Sequence, residues 1–182
     1  MIKFRKNIWE FANPNNFLSI ANKVVPFFLI LTIITLPLGL IWGLFFTPDD
    51  YRQGSSVKII FIHVPTAFLA INIYFMMLLA SIIWLIRRHH VSLIAAKSAA
   101  LIGLIMTLSA ILTGAIWGKP IWGTYWAWDP RLTSFAILLM FYLGYLSIWQ
   151  TMKLSDKIGD LSSWLCIVAV SYTHLTLPTT YT

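Results

Sequence analysis

The run Trp117-Gly118-Lys119-Pro120-Ile121-Trp122-Gly123-Thr124-Tyr125-Trp126-Ala127-Trp128-Asp129-Pro130-Arg131 gathers more side-chain chemistry than any other part of the chain. Four of the nine tryptophans fall in it, with a tyrosine among them. Gly118, Pro120, Gly123 and Pro130 predict a folded loop rather than a continuous helix. Indoles offer broad apolar faces and one N–H each, and glycines let backbone come close to a ligand. Together they read as a flat platform for a large planar ligand. Lys119 and Arg131 flank it and are suited to pairing with ligand carboxylates. Asp129 has a plainer use, tying down Arg131 or an indole N–H. The competing reading is an aromatic belt at the membrane surface. A belt accounts for one or two tryptophans at a helix end, but less readily for four on a glycine-punctuated loop.

His63 is the second candidate, in Phe61-Ile62-His63-Val64-Pro65 near one end of an apolar block. An ionisable group at membrane depth is a functional candidate by default. Imidazole is also the usual axial ligand of haem iron. The plainer reading is a histidine hydrogen-bonded to a neighbouring helix or a loop carbonyl. Pro65 fits either the first turn of a helix or a kink in a longer one. His89 and His90 follow Arg87-Arg88 and read as solvated loop residues.

The elements that must position these residues are membrane helices. Of 182 residues, 59% are hydrophobic and only 10% charged, where a soluble domain carries about a quarter charged. Four apolar blocks reach the roughly 20 residues that a bilayer crossing takes. They run from about 24 to 46, 59 to 86, 98 to 117 and 132 to 150. A fifth starts at Leu161 and breaks off near Val170, about half the length needed. The predicted class is therefore all-α: a polytopic helical membrane protein with four full transmembrane helices and a partial fifth. The first block is too long for a signal-peptide core and lacks a small-residue cleavage pattern after it. Gly39 and Gly43 are spaced for close helix contact, and Pro37 is placed to kink the first helix. The single cysteine, Cys166, excludes an internal disulfide and a cysteine-cluster metal site.

The net charge of +7 does not point to nucleic acid, because the basic residues lie between apolar blocks rather than along one face. They read as a topology signal. Nine Lys and Arg flank one side (Lys3, Arg5, Lys6, Lys23, Arg87, Arg88, Lys97, Lys153 and Lys157). Four flank the other (Arg52, Lys58, Lys119 and Arg131). The positive-inside rule puts the N-terminus in the cytoplasm and residues 47–58 and 118–131 outside.

The stretch Trp117–Ser134, WGKPIWGTYWAWDPRLTS, resembles the tryptophan-rich "WWD" motif of haem-handling membrane proteins. It is most similar to the C component of bacterial cytochrome c maturation, the CcmC or haem exporter protein C family. Three other stretches agree: Trp9–Pro26, DYRQGSSVKIIFIHVPTA at 50–67, and the TG-x-x-WGKP lead-in at 113–120. Larger haem lyases share the motif but continue from Trp-Asp-Pro with Val-Glu-Asn, so Arg131-Leu132-Thr133-Ser134 favours the C component.

The resemblance implies a protein of the bacterial inner membrane, with six spans in the family and the WWD loop on the periplasmic side. It implies haem b held at the outer surface between two external histidines, with the ring edge against the motif. The haem would pass to a membrane-anchored haem chaperone. An ATP-binding transporter pair that drives release and a small single-span subunit would be further partners. Carried over by residue, His63 matches the first axial histidine, and Trp117, Trp122, Trp126, Trp128 and Asp129 match the motif. No covalent chemistry is evident, so the expectation is a handling protein rather than an enzyme.

The likeness covers residues 1 to about 170, an incomplete haem-handling domain. Residues 171–182 lack the expected late tryptophans and hold five threonines. His174 stands in surroundings that do not match the second axial ligand, and the tail reads as foreign, from a frameshift or a joined adaptor. Two other readings stand beside the haem handler. One is a membrane scaffold whose tryptophans only anchor it, and the other is a fragment of a larger haem lyase.

Overall fold

A computed structural model describes residues 13–151 and 156–176, with 170–176 as backbone only. The chain falls into two compact units, Met1–Thr47 and Pro48–Thr182.

Among the described residues, the first unit is one helix, α1 (Pro14–Ile41), continued by a π-helical turn from Trp42 to Phe46. Asn13 caps it by accepting the Asn15 N–H, and Pro14 takes the first turn, where no N–H is missed. Pro26 and Pro37 lie inside a helix that runs on unbroken. None of the α1 side chains is buried.

The second unit holds four helices: α2 (Ile60–Arg87), α3 (His90–Trp122), α4 (Pro130–Thr151) and α5 (Asp156–Thr176). A 3₁₀ segment, Ser55–Ile59, leads directly into α2. The packed pairs are α2 with α3, α3 with α4, α4 with α5, and α5 with α2, which closes a ring. Small residues explain the close packing. Ala96, Ala100, Gly103, Thr107 and Ala110 recur at helical spacing along α3, and all are buried. Gly103 shows why: a Cβ there would stand 2.3 Å from the Tyr142 ring, so only glycine lets that phenol cross α3. The Tyr142 hydroxyl then donates to the Ala70 carbonyl of α2 at 2.9 Å, and its ring meets Tyr74 edge-on at 5.2 Å. Cys166 is buried in the same cluster.

Among the described residues, four helical stretches are long and apolar enough to cross a membrane: Pro14–Phe46, Ser55–Arg87, His90–Trp122 and Pro130–Thr151. The all-α class with four spanning helices therefore holds. The helix ends do not coincide with the apolar blocks. α1 begins ten residues before the first block, and α3 begins at His90 rather than Ser98. An apolar block measures hydrocarbon thickness, about 30 Å. At 33 residues α3 is about 50 Å long and extends well past it. Hence His90 opens α3 instead of lying in a loop, with its ring 5.3 Å from Trp84. His89 is the N-cap position, half-buried. The partial fifth block lies inside α5, which continues to Thr176. Residues 177–182, and the His174 side chain, lie outside the described residues, as do Lys3, Arg5, Lys6, Trp9 and Lys153.

Candidate functional site

The small-residue stripe of α3 continues through Gly114 and Gly118. There the space is only partly filled. A half-open, mostly apolar cavity of about 430 Å³ lies between α2, α3, α4 and the segment before α2. Its volume falls in the range usual for small-molecule sites. Gln53, His63, Trp117, Trp122, Arg131 and Phe135 contribute its polar and aromatic lining side chains.

His63 projects from the second turn of α2, so Pro65 falls inside a longer helix rather than in a first turn. The imidazole lies on Gly114, where a Cβ would be 2.9 Å from Cε1. Its Nδ1 is 3.1 Å from the Thr113 hydroxyl, and its ring meets Trp117 edge-on at 5.7 Å. The Trp117 N–H donates to Gln53 Oε1 at 2.8 Å. Gln53 is presented by a turn in which Asp50 Oδ1 accepts the N–H groups of Arg52 and Gln53. The loop before α2 is thereby tied to the far end of α3.

The tryptophan-rich run is not the loop that its glycines and prolines predict. α3 continues through Gly118 and Pro120 to Trp122, and the irregular segment is only residues 123–129. Pro120 falls in the last turn, where few intrahelical bonds remain to be lost. Gly118 is buried under Trp122, whose ring would meet a Cβ at 2.9 Å. Gly123 ends the helix at φ 74°, with its N–H on Lys119 O at 3.0 Å.

The four indoles consequently do not form one flat surface. Trp117 and Trp122 line the cavity from consecutive turns of α3. Trp126 and Trp128 stand outside its lining as an edge-to-face pair, 5.7 Å apart and at 83° to each other. Trp128 is 84% exposed. Lys119 also lies outside the lining: its ammonium donates to Gly123 O at 2.8 Å and lies 5.0 Å from the centre of the Tyr125 ring.

Arg131 does line the cavity, with its guanidinium 5.9 Å from the centre of the Trp122 ring. It donates to both Asp129 carboxylate oxygens, at 3.0 and 3.2 Å. These hydrogen bonds hold the Asp129 carboxyl below the usual carboxylate range, so it is ionised at neutral pH. Asp129 thus has the structural role of orienting Arg131. Among the described residues, no group of three or more His, Cys, Asp or Glu could hold a metal ion by itself.

Residues 7–176 match the heme exporter protein C family. The chain belongs to that family. Heme exporter protein C of Rhodobacter capsulatus is 56% identical over 162 residues, covering 89% of this chain and 67% of that protein. The Paracoccus denitrificans protein of the same name is 55% identical over 162 residues, with the same coverage. The one from Escherichia coli K12 is 36% identical over 165 residues, covering 91% of this chain and 67% of its own length. This chain spans about two thirds of the length of these three relatives. With four membrane-length apolar helices, this is a multi-pass membrane protein.

Sequence reasoning missed Gln53, Thr113 and Phe135. Gln53 and Thr113 fall in the stretches that carry the family likeness, but nothing in their spacing marks them. Their part is visible only once α2 and α3 are packed.

Proposed function

We propose that this protein receives haem b at the outer face of the bacterial inner membrane and passes it to the haem chaperone of c-type cytochrome biogenesis. The observation that carries this reading is the meeting of His63 and Trp117 on the wall of an apolar cavity. Imidazole supplies an axial iron ligand, and indole supplies apolar contact for a porphyrin edge. The half-open cavity suits a ligand that must leave again. Arg131, oriented by Asp129, is placed to pair with a propionate at the rim. Trp126 and Trp128, exposed beyond the rim, offer apolar contact to the accepting chaperone or to the part of the ring left outside. Lys119 adds positive charge on the same side. The ATP-binding transporter pair and the small single-span subunit are the further partners. Haem is cargo in this scheme, and no bond in it is made or broken by the chain.

Nine basic residues against four support a cytoplasmic N-terminus and a periplasmic 118–131 stretch. Cysteine introduced at Thr124 should react with an impermeant thiol reagent in intact cells. Labelling only after lysis would reverse the orientation.

An absorbance titration of the detergent-purified protein with haem separates this reading from a scaffold whose tryptophans only anchor it. A saturable Soret band that depends on the cavity residues is expected. A haem spectrum no different from that of haem in detergent alone would favour the scaffold.

A further inference from the structure

Which nitrogen of His63 faces the cavity ligand is decided by a hydroxyl on the neighbouring helix. Thr113 Oγ1 stands 2.7 Å from the Ser109 carbonyl oxygen, 3.2 Å from the Ala110 carbonyl oxygen and 3.1 Å from His63 Nδ1. The hydroxyl has one proton. If it pointed at Nδ1, two oxygens would face each other at 2.7 Å with no hydrogen between them, which is repulsive. The arrangement in which all these contacts are favourable has the hydroxyl donating to Ser109 and accepting from an Nδ1–H. The imidazole is then the Nδ1–H tautomer, with its lone pair on Nε2. Gly114 supports the same ring from below: a Cβ there would stand 2.9 Å from Cε1, so the imidazole lies flush against α3 beside Thr113.

We infer that Thr113 is a positioning residue which holds His63 as its Nδ1–H tautomer, with Nε2 the nitrogen offered to the iron. This deepens the haem reading and rests on it. Histidines bound to metals commonly donate their second N–H to a fixed acceptor, which sets ring orientation and raises basicity. Thr113 supplies that acceptor from α3, on the side of the ring that packs against the helix.

The test uses the 182-residue protein in detergent, labelled with ¹⁵N-histidine. His63 is assigned by its absence in His63→Ala. In the haem-free wild type, nitrogen shifts should show a protonated Nδ1 and an unprotonated Nε2. Thr113→Val keeps the shape and removes the hydroxyl acceptor, leaving the Ala110 carbonyl beside the ring, so the tautomer preference should weaken measurably. Haem affinity should fall by about tenfold or more. Thr113→Ser should restore both. A protonated Nε2 in the wild type overturns the inference, as does a Thr113→Val protein whose shifts and haem titration match wild type. A wild type that shows the Nδ1–H form, weakened in Thr113→Val, but takes up no haem upholds the tautomer assignment and refutes the haem reading alone.

Discussion

Two Trp–His pairs stand at opposite ends of α2 and α3, and the chain uses them in opposite ways. At one end Trp84 and His90 lie 5.3 Å apart. Trp84 is buried, its N–H donates to the Asp160 carboxylate of α5 at 3.1 Å, and Arg88 ion-pairs with the same carboxylate. The indole packs directly on Gly159, so α5 closes over it. At the other end His63 and Trp117 lie 5.7 Å apart, beside a cavity of about 430 Å³. There the indole N–H is held by a neutral amide, Gln53, from a loop. The residue types are nearly the same. What differs is whether a third helix fills the space beside the pair. One end is a helix clamp, and the other is left open.

The comparison can be broken most forcefully at the closed end. Trp84→Ala removes a buried indole and leaves the Asp160 carboxylate with one partner fewer, so stability should drop by about 3–5 kcal/mol. Haem bound per folded molecule should stay near wild type. Denaturation in mild detergent and haem titration together check this. Unchanged stability would remove the clamp from the account.

Gly114→Leu tests the open end. The new side chain occupies the place of the His63 ring, so haem affinity should fall by about tenfold or more, as when a metal ligand's support is lost. A variant that folds and still binds haem as wild type does would mean that His63 is not the ligand.

Within the motif the indoles should separate. Trp122 lines the cavity and Trp126 does not. Trp122→Ala should weaken haem about three- to tenfold, in keeping with one aromatic contact. Trp126→Ala should do less, and exposed Trp164 serves as the control. Equal losses at all three would point to general damage. The smallest effect is expected at Gln53. Gln53→Ala removes one hydrogen bond, about 0.5 kcal/mol at the low end of the usual range, or roughly twofold in haem affinity if Trp117 then moves. Stronger binding in Gln53→Ala would contradict a positioning role for the amide.

Much of this architecture was legible in the sequence because bilayer crossing leaves a strong imprint. Four apolar blocks became four membrane-length helices, and His63 fell near the cavity end of its helix. The helix ends were not legible. Length of apolar sequence reports hydrocarbon thickness, whereas α3 keeps its backbone hydrogen bonds past that boundary into Gly118, Pro120 and Trp122. For the same reason the four tryptophans could be counted but not sorted. Trp117 and Trp122 both reach the cavity only because the run between them is helical. No local pattern marks Trp84, yet it is buried, and its partner Asp160 comes from 76 residues away. Gln53 and Thr113 act through contacts 64 and 50 residues distant, which no local pattern encodes.

The central claim is that His63 presents an iron ligand to the cavity, and chemical rescue tests it most directly. His63→Ala removes the side chain and leaves a space that free imidazole fits. The absorbance spectrum of the haem-titrated variant should lack the wild-type Soret band, and adding imidazole should restore it. A His63→Ala protein that keeps the wild-type spectrum without imidazole would contradict the account.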